Sequence, residues 1–403
     1  MRFALLGDHP DGLAMAHALV TSGRHELLAY SGPSAGAAFL RRWEITARSI
    51  GDVEEILADP AIDAVIVAGK PADRPAQLRR ALQSERHVLC VHPADDRPDI
   101  AYEAAMIQQD TRMVLMPVLA EALHPALGVL SDLMSVWQPS DMLIELEQSS
   151  TEAVLLDTES EGHHPGVPGW PVLRLLGGEI AEIVGLAATE DMAPDGPLLL
   201  AGRFVAGGMF RMTLLPGQVD SHWRLIARTK SARIELDCSE GWPSAKRLVS
   251  RDETGQSKEL SWNQWDPWAA LVETFEQAVA TKSFPQPNWR EEVRCLELDD
   301  AARRSVERRR ASTLDYQEAT EEVGFKGTMT LVGCALLWGS LVLLLASVWV
   351  PILAAAILPV FGLFLLFQFL RWFLPAKPEP PRANSNETAK SDTAAAEPQN
   401  RVP

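Results

Sequence analysis

The sequence predicts an α/β protein in three parts: a doubly wound parallel sheet, an α/β domain with an open, mostly antiparallel sheet, and a C-terminal helical hairpin apolar enough to cross a membrane. Three observations carry this. Between residues 1 and 118, short apolar runs alternate with amphipathic stretches, as strands and crossover helices do in a parallel sheet buried on both faces. From 143 to 236, strand-like segments of alternating polarity dominate. Residues 327–370 carry no charged side chain at all. The corresponding division is 1–120, 121–313, a linker over 314–328, two transmembrane helices within 329–373 and a disordered tail over 374–403.

In the first domain the predicted strands are 3–6, 26–30, 64–68, 87–91 and 113–116. Between them Leu13, Ala16 and Val20, then Pro75, Leu78 and Leu82, recur at helical spacing and would pack on the sheet. Strands joined by right-handed crossovers leave a ligand crevice at their carboxyl ends. In the second domain a helix over 123–133 precedes strands at 143–148, 198–205, 209–215, 223–227 and 232–236. Trp268, Leu271, Val272, Phe275 and Val279 then mark a covering helix. The apolar stretch is twice the ~20 residues that one span needs. Val350-Pro351 divides it, because proline is poorly placed inside a helix, giving spans near 329–349 and 352–370. Lys326, Arg371 and Lys377 flank the outer ends, which puts the globular part and the tail on the cytoplasmic side of the membrane. Residues 375–403, rich in Pro, Ala, Asn and Glu, bury too little to offset the entropy of ordering.

With 37 basic against 54 acidic side chains and a net charge of −17 in 403 residues, the chain lacks the positive field that binding a nucleic-acid backbone requires. Cys90, Cys238, Cys295 and Cys334 are too scattered to suggest a zinc site or a disulfide framework, and no metal is expected.

The first strand-to-helix turn reads Gly7-Asp8-His9-Pro10-Asp11-Gly12. A dinucleotide fingerprint places glycines at its first, third and sixth positions, for a tight turn, for close pyrophosphate approach and for helix packing. Here His9 takes the middle position. Its side chain either crowds a pyrophosphate or, as an imidazolium, hydrogen-bonds it. Gly7 and Gly12 equally suit a plain tight turn with a helix cap at Asp11. Asp8 and Asp11 place negative charge where a diphosphate would sit. The second strand ends in Ser31 rather than an acid that would hold ribose hydroxyls, and no arginine follows before Arg41 and Arg42. NAD and NADP both remain open.

The segment 62–68, the amphipathic stretch 77–82 and His87-Val88-Leu89-Cys90-Val91-His92-Pro93 are similar to the Gfo/Idh/MocA family of nicotinamide-dependent oxidoreductases. The resemblance covers most of 1–313. It implies a Rossmann-type domain binding NAD or NADP through Gly7, His9, Gly12, Ser31, Ala68, Gly69 and Pro93. It also implies an α/β domain that shelters a sugar or cyclitol and often pairs with another copy. The family's Glu-Lys-Pro motif falls on Val91-His92-Pro93, so its lysine is His92, which near a reference pKa of about 6.5 is charged only part of the time. His92 then reads as a proton shuttle, or as a strand-end histidine satisfied by a carbonyl. The acid, histidine and acid that the family places in its second domain fall on His164, Pro168 and Pro171. Hydride transfer from an alcohol needs a base, and His92 and His164, with His163 beside it, are the candidate proton carriers.

Arg74 stands where many relatives carry a histidine, and Glu121 near their Asn-Arg-Arg segment. The loop 162–171 frames Trp170 with three prolines and three glycines, as a pocket wall, a docking loop or a packed turn. Trp262, Trp265 and Trp268 suit either sugar stacking or helix packing. Arg308-Arg309-Arg310 suits a solvated helix end or contact with anionic lipid. Three functions follow: a membrane-anchored NAD(P)-dependent oxidoreductase of sugar or cyclitol type; a catalytically inactive module that binds a nucleotide or a partner at the cytoplasmic membrane face; or a structural element of a membrane complex.

Overall fold

The computed structural model describes residues 1–149, 166–188, 196–216, 218, 220–238, 247–251, 254–262 and 265–314. The predicted membrane hairpin and tail lie outside them. Among the described residues no helix is long and apolar enough to cross a membrane.

The first sheet contains β1 (Arg2–Gly7), β2 (Glu26–Ser31), β3 (Arg48–Ser49), β4 (Ala64–Ala68), β5 (His87–Val91) and β6 (Leu115–Val118). Its order is β3-β2-β1-β4-β5-β6, and all five pairings are parallel. The strands bury both faces: β4 is Ala-Val-Ile-Val-Ala with every residue buried. Helices α1 (Pro10–Thr21), α2 (Ser34–Arg42), α3 (Val53–Ala58), α4 (Arg74–Gln83) and α5 (Pro98–Thr111) complete the winding. The strand order reverses between β1 and β4, which is where a doubly wound sheet opens its crevice. The sixth strand lies two residues later than the expected 113–116. The pairing of Val88 with Leu115 fixes its register, and alternation alone does not mark where pairing begins.

After α6 (Pro125–Met134), the second sheet is assembled from β7 (Leu143–Ser149), β8 (Ile180–Ala187), β9 (Leu198–Phe204), β10 (Met209–Leu215), β11 (His222–Arg228), β12 (Arg233–Cys238), β13 (Arg247–Arg251), β14 (Ser257–Ser261) and β15 (Ser312–Thr313). The order is β14-β13-β12-β11-β7-β10-β9-β8-β15, antiparallel except between β7 and β10. Period-two alternation sends Leu200, Phe210, Met212, Trp223, Leu225 and Leu236 into one core with α6 and α7 (Trp170–Gly177). The opposite face carries ion pairs such as Arg211 and Arg228 with Glu145.

Two C-terminal helices complete this unit. α8 (Pro267–Thr281), expected to cover the second domain, instead packs Leu271, Val272, Phe275 and Ala278 against the first sheet, whose outer face offers the apolar surface that this stripe buries. α9 (Trp289–Arg308) lies between the two sheets. Trp289, Val293 and Leu296 join the first core, while Leu298, Ala301, Ala302 and Val306 join the second. The Trp289 Nε1–H donates to Ala101 O at 2.8 Å, tying α9 to α5. Because residues seven apart share a helix face, Glu292 and Asp299 are carried on one side of α9 towards the crevice.

Candidate functional site

The carboxyl ends of the parallel strands gather the residues proposed to hold a nucleotide. Gly7 lies opposite Ala68 across β1 and β4, and Ser31 lies beside Leu6. Gly7 has φ +100°, and a Cβ there would lie 2.1 Å from Ala68 O. A Cβ on Gly12 would lie 2.2 Å from Ala68 Cβ. Both glycines are therefore demanded by packing, for the tight turn and for the close approach of α1 to β4. Gly69 faces the Gln77 amide, where a Cβ would lie 2.2 Å from Oε1.

The helix cap differs from the sequence expectation. His9, not Asp11, caps α1: its Nδ1 accepts the Asp11 N–H at 3.2 Å, and its own N–H donates to Ala68 O at 3.1 Å. Burial, with Arg74 and His92 nearby, pushes the His9 pKa down to about 4. The ring is held neutral at pH 7 in the chain by itself. Pro10 has no N–H and the Asp11 N–H is spent on His9, so the first three positions of α1 leave at most the Gly12 N–H for an anion.

Arg74 opens α4, is 1 % exposed, and works as a clamp. Its Nε and Nη2 donate to Gly69 O at 3.1 and 2.9 Å, and its Nη1 donates to Pro93 O. It joins the loop after β4 to the segment after β5, where the His92–Pro93 peptide is cis.

His92 is the centre of the site. Its Nδ1 lies 2.9 Å from Glu292 Oε2, and Glu292 Oε1 accepts the Ala94 N–H at 2.7 Å. The Glu292 side chain is 1 % exposed and that of His92 17 %. Burial alone would favour the neutral ring, but Glu292, by charge and hydrogen bond, and then Asp299 and Glu121 outweigh it and raise the His92 pKa to about 9. His92 is therefore a fixed cation at neutral pH. This corrects the expectation of partial charge: with Glu292 behind it, the histidine carries the charge that a lysine would.

The other acids around His92 come from α9 itself, from the turn at 121–123 and from α1. Asp299 Oδ1 accepts from the Val167 N–H at 3.0 Å and the Trp170 Nε1–H at 2.7 Å. Burial lifts its pKa to about 6 against the pull of His92. Glu121 accepts the Gly169 N–H at 3.0 Å, and burial raises its pKa as well. Burial also raises the Asp11 pKa, against His92 and Arg74. Trp170, the first residue of α7, is thus buried in the second core rather than forming a pocket wall. His163 and His164 lie outside the described residues. Trp262 and Trp265 meet the His124 ring edge-on at 6.3 and 4.8 Å, and Trp268 packs on the first core, each remaining partly exposed. Sequence reasoning missed Glu292 and Asp299. Their signal is two acids seven apart on a helix face that is otherwise buried.

The histidines give stability a defined pH dependence. His92 has a raised folded pKa, so its contribution is complete below about pH 6.5 and is lost as pH rises through about 9. His9 and His124 are both depressed by burial to about 4, so each destabilises the fold progressively as pH falls from about 6.5 towards 4. Asp299, raised to about 6, opposes them in that acid range. The urea midpoint is expected to peak near neutral pH, and His92→Gln is expected to flatten the alkaline limb. A midpoint that rises between pH 7 and 9 would contradict the assignment.

Residues 14–116 match the sequence model of an oxidoreductase family with an NAD-binding Rossmann fold. That family is Gfo/Idh/MocA. Solved structures of Gfo/Idh/MocA-type dehydrogenases share the fold well beyond the matched segment. A levoglucosan dehydrogenase in complex with NADH and L-sorbose is 13 % identical with a TM-score of 0.68, covering 79 % of this chain and 99 % of its own. A putative myo-inositol dehydrogenase from Sinorhizobium meliloti 1021 is 18 % identical with a TM-score of 0.61, covering 78 % of this chain and all of its own. A putative NADPH-dependent oxidoreductase from Desulfitobacterium hafniense is 15 % identical with a TM-score of 0.65, covering 77 % and 97 %. At these identities the likeness is one of fold. A comparison with curated proteins gives no sequence match. The site has a crevice at the carboxyl ends of the parallel strands, Gly7 and Gly12 at the outer positions of the first turn with His9 between them, and His92 at the end of β5.

Proposed function

We propose that the chain is an NAD(P)-dependent oxidoreductase of Gfo/Idh/MocA type acting on a sugar or cyclitol, anchored to the membrane by the hairpin near 329–349 and 352–370, with its globular part and tail on the cytoplasmic side. The observation that carries this reading is the His92–Glu292 pair, in which Glu292 keeps the His92 ring protonated at the mouth of the crevice and leaves its Nε2–H as a donor. Gly7, Gly12, Ser31, Ala68, Gly69 and Pro93 are the residues that would border the nucleotide, and the tight packing at Gly7 and Gly12 fits that use. A bound reduced nicotinamide supplies a hydride.

The chain's own part is proton management. His92 holds a proton at neutral pH and its Nδ1 is occupied by Glu292, so Nε2–H is the donor for an oxygen that gains charge during carbonyl reduction. Below about pH 9 the ring is a poor base, so His92 favours reduction over alcohol oxidation. His164 is the second proposed proton carrier.

A second reading, a nucleotide- or partner-binding module without turnover, is favoured by one feature: the start of α1 has little N–H capacity left and carries Asp8 and Asp11. Titration of the purified full chain with NADH and NADPH, followed by nucleotide fluorescence, together with an assay of NAD(P)H oxidation in the presence of keto-sugars and inosose, separates the two: binding with turnover supports the oxidoreductase, and binding without turnover supports the module. The oxidoreductase reading expects saturable binding that His92→Gln weakens roughly ten- to a hundredfold, the worth of a charge-assisted hydrogen bond at ~1.5–3 kcal/mol, and that His92→Lys preserves. No response at millimolar nucleotide would leave the module reading.

A further inference from the structure

The two ends of the second sheet present different chemistry. At the end where β7 and β10 begin, backbone bonds join a strip of turns: the Leu314 N–H donates to Ala181 O at 3.0 Å, the Val205 N–H to Glu179 O at 2.7 Å and the Met209 N–H to Met142 O at 2.9 Å. A Cβ on Gly208 would lie 2.4 Å from Pro139 O, so the turn between β9 and β10 sits directly on residues 139–142. Lys230 Nζ lies 3.7 Å from Asp141 Oδ1 and brings the turn between β11 and β12 into the same strip.

Three apolar side chains stand out from it. Val136 is 82 %, Val205 64 % and Met209 52 % exposed, and the intervening Ala206-Gly207-Gly208 carries no charge. Single exposed apolar residues are ordinary, but a group of them around an uncharged turn marks a contact surface. The acids of the strip are answered, Asp141 by Lys230 and Glu179 by Arg174 at 2.8 Å. The strip stops short of the turn after β13, where Asp252 and Glu253 follow Arg251. The opposite end of the sheet is acidic by composition. The connections that leave β7 and β8 there hold four acids over 150–161 and three over 188–197, with no lysine or arginine in either. An anionic lipid surface repels that end.

The chain also leaves the described fold from the apolar strip. Leu314, which continues the pairing of β15 with β8, is followed by fourteen residues, 315–328, before the first predicted span. Fully extended they reach at most about 50 Å. A tether of that length holds its two ends at effective concentrations of roughly millimolar, so a contact too weak to form between separate partners is made most of the time.

We propose that the tip formed by Val136, Val205 and Met209 rests in the headgroup region of the bilayer, as a second membrane contact made by the globular part itself. The tether rests on the proposed anchoring, whereas the apolar tip and the acidic opposite end do not.

The test uses the full chain in vesicles of phosphatidylcholine and phosphatidylglycerol, in a Cys334→Ser background whose other cysteines, Cys90, Cys238 and Cys295, are buried. Bimane is attached through Val205→Cys or through Gln218→Cys, an exposed position in the connection after β10 at the opposite end. Quenching by doxyl-labelled lipid reads the contact, and resistance to carbonate extraction reads the hairpin. Emission at 205 is expected to shift to the blue and to be quenched several-fold more than at 218, and Val136→Asp with Met209→Asp should bring it to the 218 level. In a chain that resists carbonate, equal quenching at the two positions, or stronger quenching at 218, would overturn the contact and leave the anchoring. Stronger quenching at 205 in a chain that carbonate extracts would uphold the contact and overturn the anchoring. An extractable chain without quenching at 205 would overturn both.

Discussion

Glu292→Gln is expected to discharge His92 at neutral pH and to destabilise the protein by about 3 kcal/mol, at the lower end of what losing one partner of a buried ion pair costs. The direction follows from the balance at His92. Burial is the largest single influence on its ring and favours the neutral form, and Glu292 is the main influence that reverses it. Glutamine keeps the shape and can still accept the Ala94 N–H, but it leaves a buried imidazolium without its counter-charge. The ring escapes most of the penalty by releasing its proton, which is why the cost stays near the lower end. The crevice then loses its cation, and nucleotide affinity should fall in parallel with His92→Gln. Urea unfolding of wild type and Glu292→Gln at pH 7 and again at pH 10 provides the check. The gap between the two proteins should narrow at pH 10, where the wild-type pair has also lost its proton. An equal gap at both pH values would mean that Glu292 acts through packing rather than charge.

Gly7→Ala is expected to abolish folding of the first domain, or to destabilise it by more than about 4 kcal/mol, the range reserved for severe backbone or packing conflicts. Two penalties fall on the same atom. The φ of +100° is a conformation that L-residues rarely adopt, and the new Cβ would sit 2.1 Å from the Ala68 carbonyl oxygen. That oxygen also accepts the His9 N–H, so moving β4 aside would uncap α1. Loss of nucleotide binding in a Gly7 variant therefore reports on the fold before it reports on the cofactor. Far-UV circular dichroism and the urea midpoint decide it; a variant with wild-type stability would show that the turn can relax.

The first domain was legible because strands buried on both faces leave continuous apolar runs, and 64–68 is the clearest example. Gly7 and Gly12 were legible because steric demand leaves few alternatives to glycine. β8, β13 and β14 were not anticipated. Ile180–Ala187 mixes outward Glu182 with outward Val184 and Leu186, which blurs its alternation, and β13 and β14 form an exposed hairpin with little apolar content. The site was half legible. His92 stood out from its place at the end of β5, but its charge depends on Glu292, two hundred positions away. In α9 the run Trp289–Arg308 mixes acids and bases in a way that resembles a solvated surface helix, and only its burial between two sheets shows that Glu292 faces inward. Local sequence can place a titratable group on an element, whereas its pKa is set by whatever the fold packs against it.

The central claim is that Glu292 turns His92 into a standing positive charge above the parallel sheet. The most direct measurement is an NMR pH titration of the His92 ring in the intact chain, assigned by loss of its signal in His92→Gln. The account predicts an imidazolium through pH 8 with a midpoint near 9. A midpoint at or below about 6.5, the ordinary histidine value, would contradict it.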